Sequence, residues 1–290
     1  MTRKLLIVGC GYLGKRIAQI AIEDGWTVIA TTRSQPKRVA ELGAKPHILD
    51  WNDPRTMVDL PLVDAVVIAV AYDRRSHVPR YESQVGGLRR FIQALDSTHP
   101  VPPPISYIST TGVYHQTDGV WVDESSPTRP SREGGRAHLQ AESALRKLRD
   151  PSNHVTLRLA GIYGPGRVPR AADVIAGRPI ASPPDGFLNL IHVHDAAMVT
   201  LASLDASRRK QPLYVVADDQ PVVRRNFYLE IAKQTRSPSP TFVEPSKDAG
   251  VRFRSESNKR IWNRAMKCDL RPLLTYPTYA EGLANILPQL

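Results

Sequence analysis

Cysteine is nearly missing from this chain: among 290 residues only Cys10 and Cys268 carry a thiol. Two thiols cannot build a disulfide framework or a cysteine-rich zinc site. Long apolar runs are absent as well, and nothing approaches the roughly 18 residues that a membrane helix requires. The short apolar start at residues 5–8 is broken by Gly9, Gly11, Gly14, Lys15 and Arg16 and offers no small-residue cleavage site, unlike a secretory signal. The expectation is a soluble cytoplasmic protein with no membrane partner. Acidic residues are in deficit: 28 Asp and Glu stand against 39 Lys and Arg, a formal net charge of +11. The excess is scattered as pairs (Arg74 with Arg75, Arg89 with Arg90, Arg208 with Arg209, Arg224 with Arg225) and forms no dense block. A solvated surface accounts for that better than a nucleic-acid footprint. The same charge would serve an anionic cofactor or substrate.

Hydrophobic residues at 41% and charged residues at 23% match an ordinary globular chain. There is enough length for a sizeable core and for one large domain or two. In the first half, short β-branched runs alternate with longer amphipathic stretches, the pattern of βαβ units on a parallel sheet. Strands are predicted over residues 4–8, 27–31, 46–49, 65–70, 105–109 and 155–159. Helices are predicted over 12–23, 35–42, 78–95 and 135–148. The prolines at 102–104 end the third helix before the fifth strand. Beyond residue 160 the texture becomes Gly- and Pro-rich, with a short helix at 171–176. Strands are read at 188–191 and 213–216 around a helix at 195–204, and helical stretches at 225–234, 255–266 and 279–287. Residues 1–160, with about 188–216, read as a doubly wound Rossmann-type α/β domain. Residues 161–187 and 217–290 read as a smaller, interleaved substrate-binding part.

Gly9-Cys10-Gly11-Tyr12-Leu13-Gly14 follows the first strand and opens the first helix. In that context the first glycine allows a tight turn and the second lets backbone approach a pyrophosphate. The third permits close helix–strand packing, with the phosphates on the helix N-terminus. An acidic residue about 20 positions on would hold a ribose 2′-hydroxyl, whereas Arg suits a 2′-phosphate. Here the second strand ends Thr31-Thr32-Arg33-Ser34, with Lys37 and Arg38 following and no carboxylate. That favours NADP(H) over NAD(H). Asp50, after the third strand, either bonds the adenine amino group or caps the turn at 51–54.

Taken in order, Gly9–Gly14, Leu49-Asp50, Ala69-Val70-Ala71, 108–114, 158–167 and 192–195 resemble the extended or atypical short-chain dehydrogenase/reductases, the NAD-dependent epimerase/dehydratase family. The resemblance runs over nearly the whole chain, including 255–263 and 276–282. Its most specific pieces are Ser109-Thr110-Thr111-Gly112-Val113-Tyr114 and Arg158-Leu159-Ala160-Gly161-Ile162-Tyr163-Gly164-Pro165-Gly166. The resemblance implies that Tyr12 and Leu13 lie under the pyrophosphate and that Ala69, Val70 and Ala71 run along the adenosine ribose. It implies that Thr110, with Thr111 beside it, meets a substrate carbonyl or hydroxyl, and that the loop Tyr163–Gly166, Gly164 included, passes the nicotinamide and substrate. Asn189 and His192 fall where the family touches substrate, and a homodimer through helices 78–95 and 135–148 is implied.

The departures from the family matter more. Its proton relay is Tyr-x-x-x-Lys on the helix after the fifth strand, where the ammonium lowers the phenol's pKa. Aligned here, Gly134 takes the place of the Tyr and His138 that of the Lys; no Tyr occurs between Tyr114 and Tyr163. Gln84 stands near the family's Asn. His138 could act as acid or base, or simply bond the cofactor ribose. Tyr114 and His115 are alternatives, although Tyr114 could merely pack beneath its loop. In His192-Val193-His194-Asp195 a metal site is disfavoured for want of further ligands; His192 is expected to face the cleft and Asp195 to cap the helix. Two functions remain. One is an NADP(H)-dependent oxidoreductase or epimerase for a small polar or nucleotide-linked substrate, with a non-standard proton donor. The other is a catalytically silent NADP(H) sensor or interaction protein.

Overall fold

The computed structural model describes residues 2–244 and 258–289 of the chain. The sequence LLIV in β1 (Lys4–Val8) alternates between two cores. Leu5 and Ile7 enter one, with Ile17 and Ala18 of α1 (Tyr12–Glu23); Leu6 and Val8 enter the other, with Leu88 and Phe91. A strand buried on both faces is what a parallel sheet covered by helices requires. The chain continues through β2 (Thr27–Thr32), α2 (Pro36–Ala40), β3 (Lys45–Ile48) and β4 (Ala65–Ile68). A π-helical turn over Glu82–Gly86 leads into α3 (Gly87–Thr98), β5 (Ile105–Thr110), β6 (Val120–Val122), α4 (Glu133–Leu148) and β7 (His154–Leu159). Next come β8 (Gly161–Tyr163), α5 (Ala171–Ile175), β9 (Ile180–Ala181), β10 (Phe187–Leu188), β11 (Leu190–His192) and α6 (Val193–Ala202). The last elements are β12 (Leu213–Val216), β13 (Val222–Val223), α7 (Arg224–Thr235), β14 (Phe242–Val243), β15 (Lys259–Ile261), α8 (Arg264–Asp269) and α9 (Tyr279–Ile286).

Seven strands form the central parallel sheet in the order β12-β7-β5-β4-β1-β2-β3. Strand order reverses between β1 and β4, where the crossovers leave to opposite sides. In open α/β sheets the crevice at the carboxyl ends of such a pair takes the ligand. A third cluster of buried residues joins Val174, Phe227, Ile231, Leu283 and Ile286 around Tyr163 and Leu190.

The helix read over 78–95 carries the π turn because Trp51 presses into it. The indole Nε1 donates to the Ser83 carbonyl at 2.6 Å and lies against Gly87, where no side chain would fit. An inserted side chain of this kind is a standard cause of a bulge. Two expectations need correction. The strand read at 188–191 is two strands, β10 and β11, separated at Asn189. The helix read at 255–266 begins only at Arg264. Residues 255–257 lie outside the described residues, and Lys259–Ile261 is a strand, with Lys259 and Ile261 buried and Arg260 turned outward. It pairs in parallel with β6, Lys259 opposite Val120. Period-two burial and a partner strand 139 positions back override the helical texture of the segment.

Candidate functional site

At the switch point the three glycines of the first loop do three different things. Gly9 has φ +98, and a methyl on it would stand 2.8 Å from the Ala69 carbonyl. Its N–H donates to Thr31 Oγ1 at 3.0 Å, which ties the β1, β2 and β4 ends together. A methyl on Gly14 would run into the Gly9 carbonyl, so α1 packs against its own loop. Gly11 has nothing within 4 Å of a methyl. Gly11 is also the N-cap of α1, with no capping side chain and no acidic residue in the first turn. The first-turn amides are therefore open on the face that Gly11 keeps clear, and they fit a dinucleotide's pyrophosphate.

On the adenosine side, Arg33 lies at the β2 end but is not free: its Nη2 is 2.9 Å from Asp73 Oδ2. The Arg75 main-chain N–H and the Arg33 guanidinium together hold the Asp73 carboxyl below its ordinary range. Arg38 donates to Gln35 Oε1 at 2.6 Å. Asp50 Oδ1 accepts from Asn52 N at 2.9 Å, so it holds its own turn. Ala69 backs directly onto Gly9, and Val70 packs onto the core containing α3; Ala71 is exposed in the loop that leads to Asp73.

The loop after β8 closes over the first helix turn. Tyr12 Oη donates to the Pro165 carbonyl at 3.1 Å, and Arg167 lies 5.2 Å above the Tyr12 ring. Gly164 touches Tyr12 Oη and Val193, leaving no room for a side chain. Tyr163 is turned inward, its ring edge-on to His192 at 5.3 Å and its hydroxyl against Gly282. Leu13 is buried beneath the loop.

At the β5 end, Thr110 Oγ1 accepts from Gly112 N at 3.0 Å and keeps its own proton to donate. Thr111 is buried in the same turn and His115 is exposed. On α4, Gly134 leaves open the space of a larger side chain, and Arg80 borders it, 3.5 Å from where a methyl would stand. Arg80 also stacks on Tyr72 at 4.1 Å and reaches Glu133 at 3.4 Å. His138 does not hang free in the cleft. Its Nε2 is 2.9 Å from Gln84 Nε2 and its Nδ1 is 3.3 Å from Tyr107 Oη. Burial brings this imidazole down to about 4, so it is neutral at pH 7. Tyr114 packs beneath its loop: its hydroxyl accepts from Arg158 Nη1 at 2.9 Å, and burial lifts the phenol to about 12. Arg158 in turn grips Glu142 of α4 at 2.7 and 3.1 Å, and Ser109 Oγ donates to Glu142 Oε1 at 2.6 Å. Of the proton-donor candidates of the sequence, His138 and Tyr114 are thus committed to other partners, whereas His115 is exposed.

The 192–195 motif also differs from its reading. His192, not Asp195, caps α6: its Nδ1 accepts from His194 N at 3.2 Å. The ring is buried between Tyr163 and Tyr276, and burial brings it down to about 4. Asp195 reaches forward to the N–H groups of Thr275 and Tyr276 at 2.8 and 2.9 Å. His194 Nδ1 accepts from Arg16 Nη2 at 2.9 Å. Among the described residues, no group of three or more His, Cys, Asp or Glu is placed to hold a metal ion. Asn189 faces β15, accepting from Ile261 N at 2.7 Å and donating to the Lys259 carbonyl at 2.9 Å. The sequence does not single out Asp73 or Arg80, because each meets its partner, Arg33 or the space beside Gly134, from an element remote in the chain.

A model of the NAD dependent epimerase/dehydratase family matches residues 5–217. Protein YeeZ of Escherichia coli K12 is 28% identical over 248 residues, covering 83% of this chain and 86% of that one. A conserved protein of unknown function from Silicibacter pomeroyi DSS is 30% identical, with a TM-score of 0.79 over 99% of both chains. UDP-glucose 4-epimerase of Bifidobacterium longum, solved with NAD+ and UDP, shares the fold at a TM-score of 0.79 and 17% identity over 98% of this chain and 97% of that one. Among the described residues no helix is long and apolar enough to cross a membrane.

Proposed function

This chain belongs to the NAD-dependent epimerase/dehydratase family, and on that premise we propose that it is an NADP(H)-dependent oxidoreductase or epimerase acting on a small polar or nucleotide-linked carbonyl or hydroxyl compound. The carrying observation is the clear face at Gly11 over the uncapped first turn of α1. Bound NADP(H) supplies or takes a hydride. The chain's own residues do the rest. The amides of the first turn hold the pyrophosphate, and Tyr12, fixed to the Pro165 carbonyl, shuts the 163–167 loop over it. Arg33, now paired with Asp73, would hold the 2′-phosphate. Thr110, its oxygen already occupied by Gly112 N, donates its free proton to the reacting oxygen and orients it. With His138 and Tyr114 engaged elsewhere, the exposed His115 or an ordered water is left to move the proton.

A second reading has a specific observation behind it. Gly134 stands in the relay position of the Tyr, and the neutral His138 has both ring nitrogens bonded. A protein that binds NADP(H) and does not turn it over would tolerate both. Consumption of bound NADPH in the presence of carbonyl compounds separates the two.

The shared premise is tested by Gly11→Val. A Cβ there meets no atom of the described residues within 4 Å, so the variant should melt like the parent. It fills the space assigned to the pyrophosphate, so the fluorescence enhancement of NADPH should disappear. Unchanged NADPH binding by Gly11→Val would refute the assignment.

A further inference from the structure

Beneath the last helix lies a cluster of acids that the proposed chemistry does not use. Asp218 follows β12 and is 1% exposed. Its N–H donates to the Leu190 carbonyl of β11 at 2.8 Å, and its Oδ1 accepts from Gln220 N at 3.2 Å. Among the described residues its Oδ2 has no hydrogen-bond partner, and neither has Tyr163 Oη. An ionised carboxylate buried with one oxygen unsatisfied is costly, and taking up a proton removes most of that cost. Burial lifts the Asp218 carboxyl well above its ordinary range; the Gln220 N–H opposes this, and the charges of Asp219 and Asp195 add to it.

The groups around it come from several elements. Asp195 of α6 accepts the N–H groups of Thr275 and Tyr276, so of the two acids it is the one better held as an anion. Asp219 is 2.7 Å from Lys267 of α8, and its N–H donates to the Pro277 carbonyl at 2.8 Å. From α9 come Tyr279, raised by burial and then by Glu230 of α7 and Asp218, and Glu281, tied to Thr278 in the capping box. The Tyr163 phenol of β8 is raised by burial first and by Asp218 next. His192 is neutral between Tyr163 and Tyr276. Residues 275–282 thus cross the cluster as a strap, held by Asp195 and by the Asp219 main chain, with Gly282 against the Tyr163 hydroxyl. Tyr163 leads directly into Gly164, which packs on Tyr12 Oη and Val193.

We propose that Asp218 is a positioning residue for the cofactor loop: with its proton on, the strap presses on Tyr163 and holds the 163–167 loop shut, and loss of that proton to water loosens both. Once ionised, Asp218 repels Asp195 and draws water beneath the strap. The proposal rests on the reading of the 163–167 loop as the cover of the dinucleotide. An opened strap returns Asp218 to roughly 3.9, the value of an exposed carboxyl. Between that value and its raised one the open form binds fewer protons, so opening grows with pH, by up to about tenfold per unit. His192 acts in the other sense, because an imidazole exposed by opening takes up a proton below about 6.5.

The test is amide exchange of residues 275–286 in the full chain at pH 5, 6 and 7, for the parent and for Asp218→Asn, with α1 of the same sample as reference. Asparagine keeps the shape and cannot ionise, so the ratio of parent to variant opening cancels the share of His192. That ratio should grow at least about tenfold from pH 5 to pH 7. NMR of the parent labelled in its aspartate carboxyl carbons gives a readout that needs no variant. At least one signal should titrate well above roughly 3.9, and the signal lost in Asp218→Asn should be such a one. NADPH affinity of the parent should fall from pH 5 to pH 7 relative to that of the variant. A constant exchange ratio, no aspartate titrating above its ordinary range, or the same pH dependence of NADPH affinity in both proteins would each overturn the proposal. NADPH binding with a constant exchange ratio sinks this inference alone. A growing ratio in a chain that binds no NADPH sinks the cofactor reading, and with it only the link from strap to loop.

Discussion

Arg33 and Asp73 show how a single contact alters what a residue can do. A guanidinium at the β2 end invites a 2′-phosphate, yet it is already 2.9 Å from a carboxylate. Both side chains reach solvent, and such a pair is worth about 0.2–1 kcal/mol, so a phosphate can displace it. Asp73→Asn should therefore tighten NADPH binding by about three- to fivefold and leave NADH binding nearly unchanged. Arg33→Ala should remove the preference for NADPH; parallel isothermal titrations read both. His138 gives a prediction of another kind. Its folded pKa of about 4 lies below the roughly 6.5 of an exposed imidazole. Between those values the unfolded chain binds more protons, so stability rises with pH and falls as the medium is acidified through that window. His138→Gln should lose less stability than the parent between pH 7 and pH 4.5, by on the order of 2 kcal/mol in denaturant melts. His192, down to about 4 as well, keeps its own acid sensitivity in the variant. An acid-side slope identical to the parent's would mean that His138 is not held neutral by its surroundings. The position of His138 on α4 is legible from the motif alone. Its neutrality is not, because Tyr107 and Gln84 come from other elements.

At the scale of elements, α4 is anchored to β7 by charge as well as by apolar packing. Glu142 is wholly buried and meets Arg158 at 2.7 Å, with Ser109 and Tyr114 completing the network. Removing one charge leaves the other buried without a partner, which costs about 3–5 kcal/mol. Glu142→Gln should fall in that range by chemical denaturation, whereas Lys147→Gln on the exposed side of the same helix should shift stability by about 0.5 kcal/mol or less. Comparable losses from both would remove the argument for the network. Elements with a strong local pattern are the ones that sequence periodicity locates well: β1 as LLIV, α1 with Ile17, Ala18, Ile20 and Ala21 on one face, and β12 at 213–216. Elements whose reason is a distant partner are not. Three residues of β15 become a strand because β6 lies alongside, and β11 is cut off from β10 at Asn189, whose side chain bonds the β15 main chain. Asn189→Ala should loosen β15, with α1 and the glycine loop unaffected in hydrogen exchange.

Over the whole molecule, the sheet order brings the β1 and β4 ends together at the one place where strand order reverses, and the glycine loop and Ala69 meet there. The net charge of +11 is scattered along the chain, yet folding brings Arg132 beside Thr110 at the Gly112 turn and Arg80 beside Gly134 of α4. The approach of Arg80 to Gly134 is invisible in the chain, where the two are 54 positions apart, while the cofactor loop is read from six consecutive residues. The account as a whole depends on a dinucleotide lying across that switch point with its phosphates on α1. Parallel fluorescence titrations of the full chain with NADPH and NADH test this directly. A charge-assisted bond from Arg33 to the 2′-phosphate, worth roughly 1.5–3 kcal/mol, predicts that NADPH binds about ten- to a hundredfold more tightly. Failure of both nucleotides to bind would contradict the account, leaving Gly9–Gly14 as nothing more than a tight turn.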